Sequence, residues 1–519
     1  MLAPPGASVR CFDDAFGATA ARMSGPAALA SWVPCREVLL AKGVQRTVVW
    51  LRSGSLRVHD NALLHAAQLL ASKSTLPVFV VSDADVAPCR WLPATPRLGR
   101  HRAQFLAGCV RDLRTTLETA GSGLAVFTGS PADVLLSLEP DCVLTQAECT
   151  ADEVAEQSAV EERLTRTGGR LIRIPGGTTY EVADSWPGSA IPGAAAYVKR
   201  LVQDHQPARP LPLPVIPRLG DYAGHAALRA DPMGLGKAGH APSCWPAGES
   251  GGLSVLRSYL WDTHAVRTYG ATRNGLGSSC STRLSPYLAT GCLSPRTVAE
   301  ELRMYDAAHP GHEASTGTSP GGLLFELAVR DYFRVLAERH GSRLFARMGP
   351  VGQSSPRSWS TDTETLAAWR QGRTGVPLVD AILRQLAQEG WVSNRARQIA
   401  ASFGCLVLNL DWRLCAEHFE SLLVDYDPAS NYGNFLQVCG LSSPGGRQNW
   451  FDVQKQSALY DPDGEYVKQW VPELRPLSAE FIHRPWDADP QACGLAIGTD
   501  YPLPAWDKHH SPQASAARP

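Results

Sequence analysis

The chain has 519 residues, 44% of them hydrophobic, which is more than one small domain and enough apolar material for at least two cores. A formal net charge of −1 excludes a global basic footprint for nucleic acid, and no apolar run is long enough to span a bilayer, so no membrane partner is expected. Thirteen cysteines without a CxxC pair, and no HExxH, speak against a disulfide framework and against a metal site.

Residues 1–44 are rich in Ala, Pro and Gly. Arg10, Arg22 and Arg36 hint at an organellar transit peptide, whereas Asp13, Asp14 and Glu37 oppose one, and a disordered extension stays equally open. A transit peptide would direct the protein to chloroplast or mitochondrion; otherwise cytoplasm or nucleus is expected. From residue 45 short apolar runs (47–51, 76–82, 124–128, 142–145, 171–174) alternate with helical stretches such as 61–72 and 102–119. Non-alternating strands separated by helices predict a doubly wound α/β domain with a parallel sheet, here over 45–176. Its strand ends should form a crevice for a small aromatic or nucleotide-like ligand. Residues 177–252, dense in Pro and Gly, read as a linker. Helical periodicity then dominates 253–485, with helices expected at 254–269, 294–307, 323–340, 377–388, 391–410 and 411–423. This second domain is all-α, and the Pro-rich tail 486–519 is expected to fray. Between 251 and 490 there are 21 Arg and only 2 Lys against 25 acidic residues. Arginine suits bidentate phosphate contact, although a GC-rich genome gives the same excess.

Three constellations carry chemistry. The first is Trp391-Val-Ser-Asn-Arg-Ala-Arg397, followed 28 residues later by an acidic turn, Asp425-Tyr-Asp427, and then by Asn431-Tyr-Gly433. Asn394 and Arg397 share a helix face. If Arg397 is buried it needs an anion, and Asp425 is the plausible one. Asn394, Asp427 and Asn431 are then left to hydrogen-bond a polar heteroaromatic ring. The second is Asn274-Gly-Leu-Gly-Ser-Ser-Cys-Ser-Thr-Arg-Leu-Ser285, where small residues and the hydroxyls of Ser281, Thr282 and Ser285 could cradle a phosphate ahead of a helix. The Gly-Lys-Ser/Thr ending of a Walker loop is absent. In the third, Glu326 and Arg330 lie four apart, by default an intrahelical ion pair.

In this order, and together with Val48–Arg52, Leu56–Asp60, Gly375–Asp380 and Tyr460–Tyr466, these motifs resemble the photolyase/cryptochrome family over roughly residues 45–485. Ser393, Gln398, Asn431–Asn434 and Lys455-Gln456 are similar to its cryptochrome DASH branch. The resemblance implies an FAD flavoprotein, expected as a monomer, that repairs cyclobutane pyrimidine dimers with light, preferably in single-stranded DNA, or acts as a blue-light receptor. The rival is a non-catalytic receptor or FAD-binding protein that has lost repair. It further implies that Tyr269, Ser281, Thr282, Arg283, Leu284, Ser285, Glu326, Arg330, Asn394, Arg397, Asp425, Asp427 and Asn431 hold FAD. Asn394 would tune the flavin protonation site, Glu326 would hydrogen-bond the dimer beside the flavin, and Arg273 and Arg395 would clamp DNA phosphate. Glu148 resembles the acidic residue that holds a 5,10-methenyltetrahydrofolate antenna; an exposed carboxylate at a helix start is the other reading. By position, Trp359 and Trp412 match the outer and middle members of the family's electron relay, while Phe435 stands at the inner position. Val329 and Gln437 replace lesion-side aromatic rings, and Gly54-Ser55 replaces the usual Asn-Asp.

Overall fold

The computed structural model describes residues 37–38, 41, 43–181, 191–233, 245–311, 316–318, 321–352, 358–489 and 494–508. Most of the 1–44 extension and the last residues of the tail therefore lie outside the described residues.

Five strands, β1 (Arg46–Leu51), β2 (Ser74–Ser82), β3 (Ala125–Gly129), β4 (Cys142–Gln146) and β5 (Arg170–Ile174), form one parallel sheet in the order β3-β2-β1-β4-β5. All five expected strands are present, because each buries both faces. Val48 and Trp50 of β1 point into one apolar layer, while Val49 and Leu51 point into another. Pro77 is tolerated inside β2 because pairing with β3 starts only at Val78, so its missing N–H removes nothing on that side. Helices α1 (Ala62–Leu70) and α2 (Arg100–Thr119) cover one face, and α3 (Ala151–Arg166) covers the other. The chain order reverses between β1 and β4, so the crevice of this doubly wound sheet lies at their C-terminal ends.

The connecting stretch is not purely irregular. Residues Ala194–Asp204 form helix α4, whose Tyr197, Val198 and Leu201 pack into the helical domain's core beside Tyr332. Among Pro and Gly these four-residue repeats are easily overlooked. The first helix of the second domain, α5 (Gly248–Arg257), starts six residues before the expected one. Gly251 and Gly252 weaken the helical pattern, but a Cβ at either would strike Pro246 or the Tyr287 ring. The expected continuation to residue 269 breaks at a π-turn, Ser258–Asp262, and at His264, which has φ +51°.

Downstream lie α6 (Ser285–Thr290), α7 (Leu323–His340), α8 (Pro377–Glu389), α9 (Asn394–Ser402), α10 (Trp412–Leu422) and α11 (Pro428–Val438). The expected helix 391–410 begins only at Asn394, because the Ser393 hydroxyl accepts from Ala396 N and makes Ser393 the cap. Where the sequence suggests only an acidic turn, helix α11 begins. Asp427 is its N-cap, accepting from Ser430 N at 2.6 Å, with Pro428 at the first helical position. Gly433 lets α11 approach α7, since a Cβ there would sit 2.3 Å from the Phe333 ring.

The two domains share a core. The apolar layer under β1 runs through Phe105 of α2 into Tyr287, Leu327 and Trp391 of the helical domain. Gly291 packs against the Gly54 backbone across this boundary, where a Cβ at 291 would strike Gly54 C at 1.9 Å, and Gly54 itself takes φ +102°, which favours glycine there. The tail does not fray throughout. Tyr501 is fully buried and donates to Asp380 Oδ2 at 2.5 Å, while Ala505 N donates to Thr374 O. Asp380 also accepts from Thr374 N and Gly375 N, so one carboxylate holds both the Gly375 turn and the tail.

His418 of α10 gives the fold an acid-sensitive point. Burial, with Arg370 beside it, pulls its pKa down to about 3. The unfolded chain then binds a proton that the folded chain refuses between about pH 6.5 and 3, so stability falls as pH drops through that window. His418→Gln is expected to flatten the stability–pH slope there by up to about 1.4 kcal/mol per pH unit. An unchanged slope in urea titrations would contradict this.

Candidate functional site

Trp391 is 3% exposed and donates from Nε1 to Ser285 Oγ at 3.2 Å, which ties the start of α9 to the end of the 274–285 loop. At the other end of that loop Asn274 Oδ1 accepts from Arg395 Nη2 at 2.9 Å. The first two constellations are therefore one place in space. Arg283, at φ +55°, lays its guanidinium 4.0 Å from the centroid of the Trp245 ring and 5.7 Å from that of Trp391. Thr282 Oγ1 accepts from Leu284 N, and Leu284 is buried.

Arg397 donates to Val392 O at 3.0 Å and to Asp425 Oδ2 at 2.7 Å. The Asp425 side chain is 1% exposed, so the ion pair expected from spacing is made, and it is buried on the acid side. Asp425 Oδ1 is buried without a hydrogen-bond partner. Asn431 donates to Ala416 O at 3.0 Å and is 9% exposed; Asn394 opens α9 and is exposed.

The Glu326–Arg330 pair that the spacing allows is not made. Glu326 pairs instead with Arg273, and Tyr269 lies against the same guanidinium. Burial raises the Glu326 carboxyl, and burial together with Glu326 pushes the Tyr269 hydroxyl up to about 12. Arg330 turns away to donate to Gly177 O at 2.6 Å and Leu288 O at 3.3 Å, binding the end of the α/β domain to the helical one. Carbonyls that would otherwise be unsatisfied at this boundary compete for it better than an already paired carboxylate.

Arg395 lies over the rings of Phe451 and Tyr460 at 5.1 and 5.5 Å. Phe451, Asn274 as an acceptor, and Trp245 were not singled out from the sequence, and Tyr460 was read there only as the start of a motif, not as a partner of Arg395. Trp245 was legible only as a lone tryptophan in a Pro/Gly-rich stretch. Trp412 is fully buried and donates to Arg347 O at 3.1 Å; Trp359 is 5% exposed. Phe435 is buried edge-on to Phe419 at 5.4 Å, and Val329 and Gln437 are half-buried.

A cavity of about 150 Å³ sits at the sheet's crevice between the two domains. Trp50, Arg52, Glu153 and Glu156 line it from one side, Phe345 and Tyr426 from the other. Glu148 is no exposed helix-start carboxylate: its side chain is 3% exposed and ion-paired to Arg52 at 3.4 Å. Its Oε1 has no hydrogen-bond geometry to any partner, and burial raises its pKa. Burial and the neighbouring Glu148 lift Glu153 to about 8.

A family model described as the FAD-binding domain of DNA photolyase matches residues 323–518, and one described as DNA photolyase matches 47–213. Cryptochrome DASH of Xenopus laevis is 35% identical over 490 residues, covering 89% of this chain and 91% of that protein. The chain belongs to the photolyase/cryptochrome family. It falls in the cryptochrome DASH branch, as a further relative, Cryptochrome DASH of Gloeobacter violaceus, is 35% identical over 91% of this chain and 95% of its own length. The chloroplastic/mitochondrial Cryptochrome DASH of Ostreococcus tauri is also 35% identical, over 89% of this chain and 90% of that protein. A crystal structure of a Synechocystis cryptochrome superposes with a TM-score of 0.81 at 31% identity, covering 92% of this chain and 99% of that one. The doubly wound domain followed by a helical FAD-binding domain is thus the family's architecture. Among the described residues no helix is long and apolar enough to cross a membrane.

The cofactor of this branch is FAD, and the residues present fit it. An orphaned acidic oxygen at Asp425, a loop of small hydroxyl residues and half-buried arginines form a donor–acceptor set suited to a polar ring joined to a pyrophosphate.

Proposed function

We propose that this protein is a light-driven flavoprotein that repairs cyclobutane pyrimidine dimers, preferably in single-stranded DNA. The observation that carries the reading is the cluster Tyr269–Arg273–Glu326 beside the 274–285 loop, because it places an acceptor for a base and a donor for phosphate at one half-buried rim. Reduced FAD, when bound and excited by light, supplies the electron that opens the dimer. Ser281, Thr282, Arg283, Leu284 and Ser285 hold the pyrophosphate side, while Arg397, Asp425, Asp427 and Asn431 hold the ring side, with Arg330 behind them. Asn394 adjusts the flavin protonation site. Glu326 hydrogen-bonds the extruded dimer, and extrusion costs least from a single strand. The Arg273–Glu326 pair has to open for this, so Arg273 exchanges a carboxylate for a DNA phosphate. Blue-light repair of thymine dimers in an oligonucleotide, with FAD reduced chemically beforehand, tests the reading; intact dimers despite bound, reduced FAD would sink it.

A second reading, a blue-light receptor without repair, is favoured by Phe435, which puts a hard-to-oxidise ring at the inner relay position, and by Val329 and Gln437, which withhold aromatic rings on the lesion side. The same assay separates the two.

Arg273 and Arg395 are the residues proposed to meet DNA. The double alanine variant should bind single strands more weakly, with a log–log salt slope shallower by about 0.7 for each phosphate no longer neutralised. Unchanged affinity and slope in anisotropy titrations would remove both from the DNA face.

We also propose that the interdomain cavity takes a folate antenna, with the buried Glu148 carboxylate, ion-paired to the lining residue Arg52, accepting an N–H from it. Glu148→Gln should then lower folate affinity and energy transfer to FAD; undiminished transfer would exclude Glu148. An organellar location, as the Ostreococcus relative's name carries, would rest on residues 1–44, and import of a 1–44 fusion separates it from cytoplasm or nucleus.

A further inference from the structure

The rings around Trp412 suggest where an electron hole in this protein ends. Tyr432 of α11 lies edge-on to Trp412, centroid to centroid 6.1 Å. It is 1% exposed, and its hydroxyl donates to Glu420 Oε2 at 2.9 Å. Glu420 is itself buried and held through its other oxygen by Arg97 Nε at 3.0 Å. The half-buried Trp91 also lies against Tyr432, edge-on at 6.4 Å. Arg413 and Arg90 lie 4.8 and 5.5 Å from that ring's centroid. Two guanidinium groups raise the cost of a positive hole on Trp91, since like charges repel at this range in a low-dielectric surround. No such cation lies over the Tyr432 ring among the ring contacts of the described residues, and its proton has a fixed acceptor.

We propose that Tyr432, with Glu420 as its proton acceptor, is the terminal electron donor to Trp412. The inference rests on the flavoprotein reading above, with light-excited oxidised flavin as the oxidant that removes one electron from Trp412. One electron then passes from Tyr432 to the Trp412 radical cation, restoring the tryptophan. The phenolic O–H bond breaks, and its proton moves to Glu420 Oε2 along the existing hydrogen bond. The products are a neutral tyrosyl radical and a protonated Glu420, with charge and atoms conserved. A dissolved thiolate afterwards gives up one electron, becoming a thiyl radical, while Glu420 returns the proton along the same hydrogen bond, so the phenol and the carboxylate are both restored. The hydrogen bond is preformed, so the proton step requires no rearrangement of the buried side chains. Trapping the hole this way slows its return and lets a rare first transfer accumulate.

Freeze-quench electron paramagnetic resonance on flavin-loaded protein after blue light tests this. A tyrosyl signal is expected in wild type and should vanish in Tyr432→Phe, which keeps the ring and loses only the hydroxyl. In Glu420→Gln, which can hold the hydrogen bond but not take the proton, the tyrosyl signal should fall and a tryptophan radical appear. Formation of the wild-type radical should slow in deuterium oxide. A tryptophan radical in wild type, or a tyrosyl signal that survives Tyr432→Phe, would overturn the proposal while leaving the flavoprotein reading intact. The same holds if flavin binds and no protein radical forms. A chain that takes up no flavin would overturn both.

Discussion

Arg397→Ala is expected to destabilise the protein by about 3–5 kcal/mol and to empty it of flavin, because it strands a buried carboxylate. Asp425 is 1% exposed, and its Oδ2 is held by Arg397 at 2.7 Å while Oδ1 has no hydrogen-bond partner. Removing the guanidinium therefore leaves neither oxygen satisfied by another described residue. The carboxyl must then either stay charged at high cost or take up a proton, and both outcomes register as lost stability. The same change frees Val392 O, which Arg397 Nε holds at 3.0 Å just ahead of α9, so the start of that helix loosens with it. Asp425→Asn should cost less, since an amide needs no counter-charge. The double variant should cost less than the two single changes added together, which is the signature of a coupled pair. Urea unfolding of the three variants decides the matter; a loss below about 1 kcal/mol for Arg397→Ala, as for an exposed pair, would contradict the burial argument.

Phe435 sets the second expectation. Electron hopping toward the flavin needs an oxidisable ring next to it, and the position proposed as the inner relay site is Phe435, 3% exposed and edge-on to Phe419. Trp412 would have to donate across a longer gap, in competition with excited-state decay. Wild-type protein should therefore photoreduce slowly under blue light even with excess reductant. Phe435→Trp should speed it by at least about tenfold, equivalent to ~1.4 kcal/mol of barrier. The larger ring overfills a packed site at a cost of about 1–3 kcal/mol, so folded fraction must be measured beside rate. Fast photoreduction in wild type, indifferent to Phe435→Trp and to Trp412→Phe, would show that the relay runs elsewhere.

The sheet was readable from sequence because the strands are short, mainly apolar runs without strict alternation, with apolar side chains buried on both faces, a pattern that helices between the strands leave little room to misread. The long helices Leu323–His340 and Pro377–Glu389 were readable for the same reason: a full apolar stripe with clear ends. Short or glycine-bearing elements were not. Helix α5 hides behind Gly251 and Gly252, and α4 is surrounded by prolines. Helix α11 looked like a turn because Asp427 and Pro428 are common turn residues as well as a cap and a first helical position.

The Arg397–Asp425 pair could be read from burial logic alone. The partner choices of Glu326 and Arg330 could not, since they depend on which carbonyls the domain boundary leaves open. Asn274, Phe451 and Tyr460 come to Arg395 from segments far apart in sequence, and no local spacing announces such a meeting.

Absorption of the purified full-length chain, before and after incubation with FAD, bears on all of this at once. Flavin bands that persist through gel filtration, and that Arg397→Ala loses, are the expected result. A folded wild-type chain that carries no flavin and takes up none on reconstitution would contradict the assignment of the Ser281–Ser285 loop and of Arg397, Asp425, Asp427 and Asn431 to one cofactor site.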